Sequence, residues 1–352
     1  MININITTLL PAVFAQSLFL FLLIFFKKFI STYFLVQKYD AEQKIHSGEV
    51  FRFGGLSLMI FFFFADIFYY RETFFSNIII LSFLPLAFIG LIEDLFHNTS
   101  AKLRLCVIFL TAFTFFYLLD SSFPRIDFPP LQFLFNNEIF LYIFFVFSIS
   151  VVVNGFNFID GINGLATIST ISVFTCILLL SVKFDDLSFA NDIIILLIPF
   201  VIFFFVNYPL GKVFLGDLGS YLGGYIVASI IILFFTRHPE IKTWGAILLL
   251  FYPSFEVLFS FLRKLYNKKS PLSADLNHLH TLLFFYIYSY TGNKLLSNSA
   301  AIFPLAFFWL LPSIIFYFYY NNLSIIILSI FFEIICYFVF YIILIKYKLR
   351  NI

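Results

Sequence analysis

The feature that most limits the fold is a succession of long apolar runs separated by short polar breaks. Eleven such runs lie near 7–26, 54–70, 77–92, 103–119, 139–156, 164–182, 192–208, 220–236, 244–262, 297–319 and 323–345. A helix of about 20 mostly apolar residues crosses the hydrocarbon core of a bilayer, where only helices and closed barrels satisfy their own backbone. Composition agrees: of 352 residues, 62% are hydrophobic, 11% are charged and 58 are Phe. Soluble domains hold about 45–50% apolar and about 25% charged residues, so an ordinary globular core is excluded. A net charge of +2 excludes a nucleic-acid partner. Cys106, Cys176 and Cys336 are far apart within apolar runs, so neither a disulfide framework nor a CxxC metal pair is present.

The expected class is therefore all-α, a polytopic integral membrane protein forming a single domain over 1–352. It should have about eleven transmembrane helices, or ten if a short segment (77–92 or 192–208) is re-entrant. Met1-Ile2-Asn3-Ile4-Asn5 carries no basic stretch, so the first run reads as a retained helix rather than a cleaved signal. Orientation follows from the 21 Lys and Arg residues. Five of them (Arg71, Arg125, Lys183, Arg237 and Lys242) fall on one side of an eleven-span layout and the other sixteen on the opposite side. That asymmetry puts the N-terminus outside and the C-terminus in the cytoplasm, in the plasma (inner) membrane. The cytoplasmic side also gathers Asp40, Glu42, His46, Glu93, Asp94, His97, Asn154, Asn157, Asp160, Asn163, Asp217, Asp275, His278 and His280. On the outer side Asp120, Asp127, Glu138, Asp185, Asp186 and Glu240 read as scattered loop solvation.

Four segments carry candidate chemistry. Glu93 and Asp94 end the third run, and adjacent carboxylates beside lipid are costly unless paired, hydrated or bound to a cation. Lys102 suits a phosphate, or simply marks the basic boundary. In Asn154-Gly155-Phe156-Asn157-Phe158-Ile159-Asp160-Gly161-Ile162-Asn163-Gly164, helical spacing puts Asn154, Asn157 and Asp160 on one face. The plainer use of those amides is hydrogen bonding between helices. Asp217, between Gly216 and Gly219 at the start of a run, suits a Mg²⁺–phosphate contact, since Mg²⁺ takes one or two carboxylates plus phosphate oxygens. A plain turn is the alternative. The loop Lys268-Lys269-Ser270-Pro271 to Asp275 and His278-Leu279-His280 fits pyrophosphate. It could also offer zinc two ligands, but no second ligand pair accompanies them.

Together with Lys44-Ile45-His46 and Arg52-Phe53-Gly54-Gly55-Leu56, these segments in this order resemble the polyprenyl-phosphate N-acetylhexosamine-1-phosphate transferases over about residues 36–285. The corresponding active-site loops are 38–55, 93–104, 154–166, 207–220 and 263–296. The Ser270-Pro271 to His280 form is more like the bacterial undecaprenyl-phosphate N-acetylglucosamine-1-phosphate initiating enzymes than the peptidoglycan enzyme. The resemblance implies transfer of a sugar-1-phosphate from a UDP-sugar to undecaprenyl phosphate. UMP would be released, and the lipid product would initiate a cell-envelope glycan such as O-antigen. It implies Mg²⁺, with Mn²⁺ as an alternative ion, on Asp217 with Asn157 as second ligand. Asp94, Glu93 and Asp160 would join Asp217 as the catalytic acids. Lys102, His278 and His280 would contact pyrophosphate, and Asn154 would lie in the substrate site. Asn163, Asn207 and Phe214 would line the uridine pocket, Phe214 stacking on uracil; a homodimer is allowed.

Four positions depart from the family pattern: Glu93 for Asp, Asn163 for the second Asp of DGxDG, Thr281 for a third His and Leu276 for a frequent Arg. They leave the base and the sugar open. Two other classes compete, a transporter or lipid flippase using Asp66, Glu256 and Glu333, and a non-catalytic scaffold of a glycan assembly complex. Those three acids sit in different runs without a shared motif, so they read as single buried or interfacial carboxylates.

Overall fold

The computed structural model describes residues 6–27, 50–68, 74–119, 123–126, 132–271, 273 and 275–351. The helices are α1 (Ile6–Phe25), α2 (Gly54–Phe68), α3 (Phe74–Phe96), α4 (Ala101–Leu119), α5 (Gln132–Phe135), α6 (Glu138–Ile159), α7 (Leu165–Lys183) and α8 (Leu187–Asn207). They continue with α9 (Gly216–Arg237), α10 (Gly245–Leu249), α11 (Phe251–Tyr266), α12 (Leu279–Thr291), α13 (Lys294–Ala300), α14 (Ile302–Trp309), α15 (Leu311–Tyr319) and α16 (Leu323–Asn351). Among the described residues the only β pairing is a single parallel bridge between Phe51 and Val213.

Nine helical stretches among the described residues are long and apolar enough to cross a membrane, with α2 as a shorter apolar helix. The run 244–262 is where the expectation and the structure part. It breaks at Leu250 into α10 and α11. Pro253 has no N–H for the Leu249 carbonyl, so an unbroken helix would lose a bond there. Helix α11 carries Glu256, Arg263 and Lys264 and is amphipathic rather than apolar all round. Pro312 likewise starts α15 after the break at Leu310, although α13 to α15 together still form one spanning stretch.

Helix α9 is the axis of the bundle. Every residue from Gly216 to Phe235 is buried, as expected of a helix apolar on all sides. It packs against α2, α3, α6 and α7. In lipid, helices associate through close backbone approach at small residues rather than through a hydrophobic drive. At Gly55 of α2 a Cβ would lie 2.2 Å from the Gly219 nitrogen of α9. The outward surface is the reverse of a soluble one, with Phe14, Phe88, Phe113, Phe205 and Phe303 exposed. Such an apolar exterior is stable against acyl chains and not against water. Much of the Phe excess is thus outward-facing.

Candidate active site

The site forms where α9 begins. Residues 51–55 run beside 213–215: the Phe214 N–H donates to Phe51 O (2.8 Å), Gly54 N–H to Phe214 O (2.9 Å) and Gly55 N–H to Leu215 O (2.8 Å). This pairing carries Arg52 to the first turn of α9. Gly216 sits at φ +78°, and a Cβ there would lie 2.6 Å from both Asp94 Oδ2 and Arg52 O. Only glycine admits that backbone and that contact together.

The absent side chain lets Asp94 reach the helix. Its Oδ1 accepts from the Asp217 N–H (2.8 Å) and its Oδ2 from the Leu218 N–H (2.9 Å). The first N–H groups of a helix lack intrahelical partners and favour negative charge, so Asp94 anchors α9. Asp217, in turn, has its carboxylate held from several sides. Its Oδ2 accepts from Arg104 Nη1 (2.8 Å) and from the Tyr221 hydroxyl (3.2 Å), and Arg52 Nη1 is 3.8 Å from Oδ1. Arg104 is shared: the same Nη1 lies 3.8 Å from Glu93 Oε1. Glu93 Oε2 accepts from the Thr99 N–H (3.0 Å) and hydroxyl (2.5 Å).

Asp160 follows the last residue of α6. Burial pushes its pKa well above the usual carboxylate range; Arg52 opposes, Asp217 and Asp94 add to the rise, and the Gly216 N–H opposes. Asn157, one turn earlier, donates from Nδ2 to Ser220 Oγ (3.0 Å), tying α6 to the start of α9. Asn154 donates to Ser150 O on its own helix (2.8 Å). His97, past the end of α3 at φ 52°, has its pKa held down by burial and by Arg52, with Glu93 and Asp217 opposing.

A second cluster faces this one across residues 157–161. His278 Nδ1 lies 2.9 Å from Glu256 Oε1, and its ring meets the edge of Phe158 (5.1 Å) and the face of His280 (5.5 Å). His280 Nδ1 is 3.3 Å from the Tyr252 hydroxyl, and a Cβ at Gly161 would lie 3.0 Å from its Nε2. Burial brings the His280 pKa down to about 3, with Glu256 opposing and His278 adding, so this imidazole is neutral near pH 7. It can hydrogen-bond a phosphate but not neutralise one. The basic loop before it is braced internally: Arg263 pairs with Asp275 (2.7 Å), and Lys264 Nζ donates to Pro271 O (3.2 Å) and Ser273 O (2.7 Å).

The expected uridine-lining amides serve the loops. Asn207 Oδ1 accepts from the Gly164 N–H (2.5 Å) and its Nδ2 donates to Val213 O (2.8 Å). Asn163 Nδ2 donates to Pro209 O (3.3 Å), and its N–H donates to Asn298 Oδ1 of α13 (2.8 Å). Both side chains are buried, and together they fasten the 161–164 turn to the 207–213 loop. Phe214 is half-buried beside Phe51, and Lys102 is exposed in the first turn of α4. Residues two apart on a helix do not share a face, which separates Lys102 from Arg104. Lys44, His46 and the rest of 38–49 lie outside the described residues.

Sequence reasoning missed Arg104, counted only as a topological charge, and Glu256, read as an isolated acid. Tyr252, Tyr337 and Asn298 escaped it altogether. For the first two a signal existed: each sits within a helical apolar stretch, where a charge requires a partner. Asp186 was also misread. It caps α8, accepting from the Phe189 N–H (3.3 Å), and takes two 2.7 Å hydrogen bonds from Arg237, so it is a paired clamp and not loop solvation.

Among the described residues no three His, Cys, Asp or Glu side chains converge into a closed metal cage. The oxygen donors Asp217, Asp160 and Asn157 do fit a hard cation that takes one or two carboxylates from protein and the rest from phosphate and water. The His-x-His pair offers no comparable set, because among the described residues no group of three His, Cys, Asp or Glu forms around it.

The chain matches the family model described as Glycosyl transferase family 4 over residues 76–235, which contain Glu93, Asp94, Arg104, Asn157, Asp160 and Asp217. It is 33% identical over 239 residues to the undecaprenyl-phosphate alpha-N-acetylglucosaminyl 1-phosphate transferase of Thermotoga maritima, covering 68% of this chain and 69% of that protein. It is 24% identical over 246 residues to the probable undecaprenyl-phosphate N-acetylglucosaminyl 1-phosphate transferase of Bacillus subtilis, covering 68% and 67%. To a phospho-N-acetylmuramoyl-pentapeptide-transferase of Clostridium perfringens it is 28% identical over 167 residues, covering 45% and 53%. The apolar bundle, the acidic end of its axial helix and these likenesses agree: the chain belongs to glycosyl transferase family 4.

Proposed function

We propose that this protein transfers a sugar-1-phosphate from a nucleotide sugar to a polyprenyl phosphate. The observation that carries this reading is the convergence of Glu93, Asp94, Asp160 and Asp217 with Arg52 and Arg104 at one end of a buried helix, in a chain whose Thermotoga maritima relative is named for such a transfer. An oxygen of the lipid phosphate attacks the phosphorus that bears the sugar. The bond between the two phosphates of the donor breaks, and the nucleoside monophosphate leaves with that electron pair. A phosphate monoester is largely ionised near pH 7, so the site supplies position and charge balance rather than a strong base.

Asp94 fixes the start of α9, and thereby the place of Asp217. Arg104 and Arg52 stand beside the carboxylates, where phosphate oxygens would draw them away from Asp217. Asp217, with Asn157 and Asp160, would hold Mg²⁺, which when bound neutralises charge on the transferring phosphates. His278 would meet the donor diphosphate from the other side, with neutral His280 beside it. We read the donor as a UDP-N-acetylhexosamine or a derivative, the acceptor as undecaprenyl phosphate and the product as the start of a cell-envelope glycan. The site faces the cytoplasm in this reading, in keeping with the basic residues around it.

Purified protein with Mg²⁺, undecaprenyl phosphate and radiolabelled UDP-sugar should release UMP and form a chloroform-soluble sugar lipid. Absence of turnover across UDP-GlcNAc, UDP-GalNAc and their 6-deoxy relatives would overturn the assignment. Cysteine labelling at the 267–277 loop from the outside alone would overturn the facing.

A further inference from the structure

Glu256 of α11 is fully buried, yet the steps above give it no part. Three donors from two helices meet its carboxylate. Oε1 accepts from His278 Nδ1 (2.9 Å) and from the Leu279 N–H (3.3 Å) at the start of α12, and Oε2 accepts from the Tyr337 hydroxyl of α16 (2.7 Å). A fully buried carboxylate needs such a complete set.

The consequence falls on His278. A carboxylate accepts and does not donate, so the imidazole nitrogen facing it carries hydrogen. Nδ1 is therefore committed to Glu256, and Nε2 is the nitrogen left for a ligand. Phe158 at the ring edge and His280 across its face fix the plane of the ring. His280 is held differently, because Tyr252 can donate or accept and does not dictate which nitrogen bears hydrogen.

We propose that Glu256, locked in place by Tyr337, is the positioning residue of His278, holding the ring so that Nε2–H is aimed at an anionic oxygen of the donor diphosphate. This rests on the reading that His278 meets that diphosphate. A ring between two anions carries hydrogen on both nitrogens, so the bound form is an imidazolium bridging Glu256 and phosphate. At metal-bound histidines, carboxylate partners that hold the second ring nitrogen typically change affinity or activity by about 10–100-fold when removed, and a loss of that order is expected here.

Two measurements test it. In the first, Glu256→Gln keeps the shape and removes the charge; its amide oxygen can still accept from His278, while its NH2 donates to the Tyr337 hydroxyl instead of accepting from it. It should raise KM for the nucleotide sugar about tenfold or more with kcat changed less, and Glu256→Leu should lose more. In a His278→Ala background Glu256→Gln should cost nothing further; equal losses with and without His278 would overturn the proposal in favour of a merely structural acid. The second measurement needs no turnover. Nitrogen-15 NMR of imidazole-labelled protein with UDP should show both His278 nitrogens protonated, and the same spectrum of Glu256→Gln should not. A His278 signal indifferent to UDP, or identical in the two proteins, would overturn it. A protein that fails to form sugar lipid but shows the UDP-dependent signal would sink the transferase reading and leave this one standing.

Discussion

The two ends of α9 each place an Asp against an Arg, but they are built to opposite purposes. At the far end Arg237 grips Asp186 with two 2.7 Å hydrogen bonds, His238 Nε2 stands 3.3 Å from the same carboxylate, and the guanidinium lies over Phe189 (5.3 Å). Burial alone would raise the Asp186 pKa, but the Arg237 and Phe189 hydrogen bonds hold it below the usual range. There Asp186 is held by a two-pronged fork, with Asp192 and Glu240 the other acids beside Arg237 and His238. At the Asp217 end Arg104 makes a single short contact and divides itself between Asp217 and Glu93. Glu93, Asp94, Asp160 and Asp217 are met by the guanidinium groups of Arg52 and Arg104, with His97 close by. The far end is built around one bidentate pair, whereas the near end gathers four acidic side chains around two guanidinium groups, which suits a divalent cation and phosphates.

Among changes that leave the Asp217 carboxylate in place, breaking the shared contact should have the largest effect. Arg104→Gln frees Asp217 and Glu93 to repel each other and removes a cation from the phosphates; kcat/KM for the nucleotide sugar should fall about 100-fold, measured as UMP release. Arg104→Lys should recover only part, because an ammonium lacks the planar fork. Gly216→Ala tests the geometry beneath. It puts a Cβ into Asp94 at a positive φ, and should cost about 1–3 kcal/mol of stability, read as a lower melting temperature in detergent, together with loss of activity.

The His280 prediction is a matter of pH. Its folded pKa of about 3 lies below the unfolded value of about 6.5. The folded state therefore declines a proton that the unfolded chain accepts, and stability falls as pH drops from about 6.5 toward 3. His280→Asn should flatten that slope in melting temperature against pH. The smallest effect belongs to the far end: Arg237→Gln breaks an exposed pair worth about 0–1 kcal/mol and should leave turnover within about twofold.

How much of this could be read from the chain alone differs between fold and site. The spans announce themselves, because hydrophobic length is a local property. The break at Leu250 does not, because averaging across 244–262 hides one proline and one acid in a run of apolar residues. Polar residues in the wrong solvent mark the site, and Asn157, Asp160, Asp217, His278 and His280 stand out for that reason. Their partners are harder to see. Arg104 meets Asp217 across 113 positions, and a basic residue near a helix end satisfies the topology rule whether or not it touches an acid. Asn163 and Asn207 were legible as candidate site residues, but their hydrogen bonds to the loops were not, since an amide facing a ligand and one facing a carbonyl look alike in a sequence. Asp186 did carry a local signal, an acid directly before an apolar helix, which is the mark of an N-cap.

The account stands on the claim that the Asp217 end performs the transfer and the Asp186 end only holds the bundle together. One paired assay tests it directly: formation of radiolabelled sugar lipid by Asp217→Asn and by Asp186→Asn, with each protein purified from membranes at equal yield. The account predicts no product above background from Asp217→Asn and near-normal turnover from Asp186→Asn. Substantial turnover by Asp217→Asn, or an equal loss in both, would contradict it.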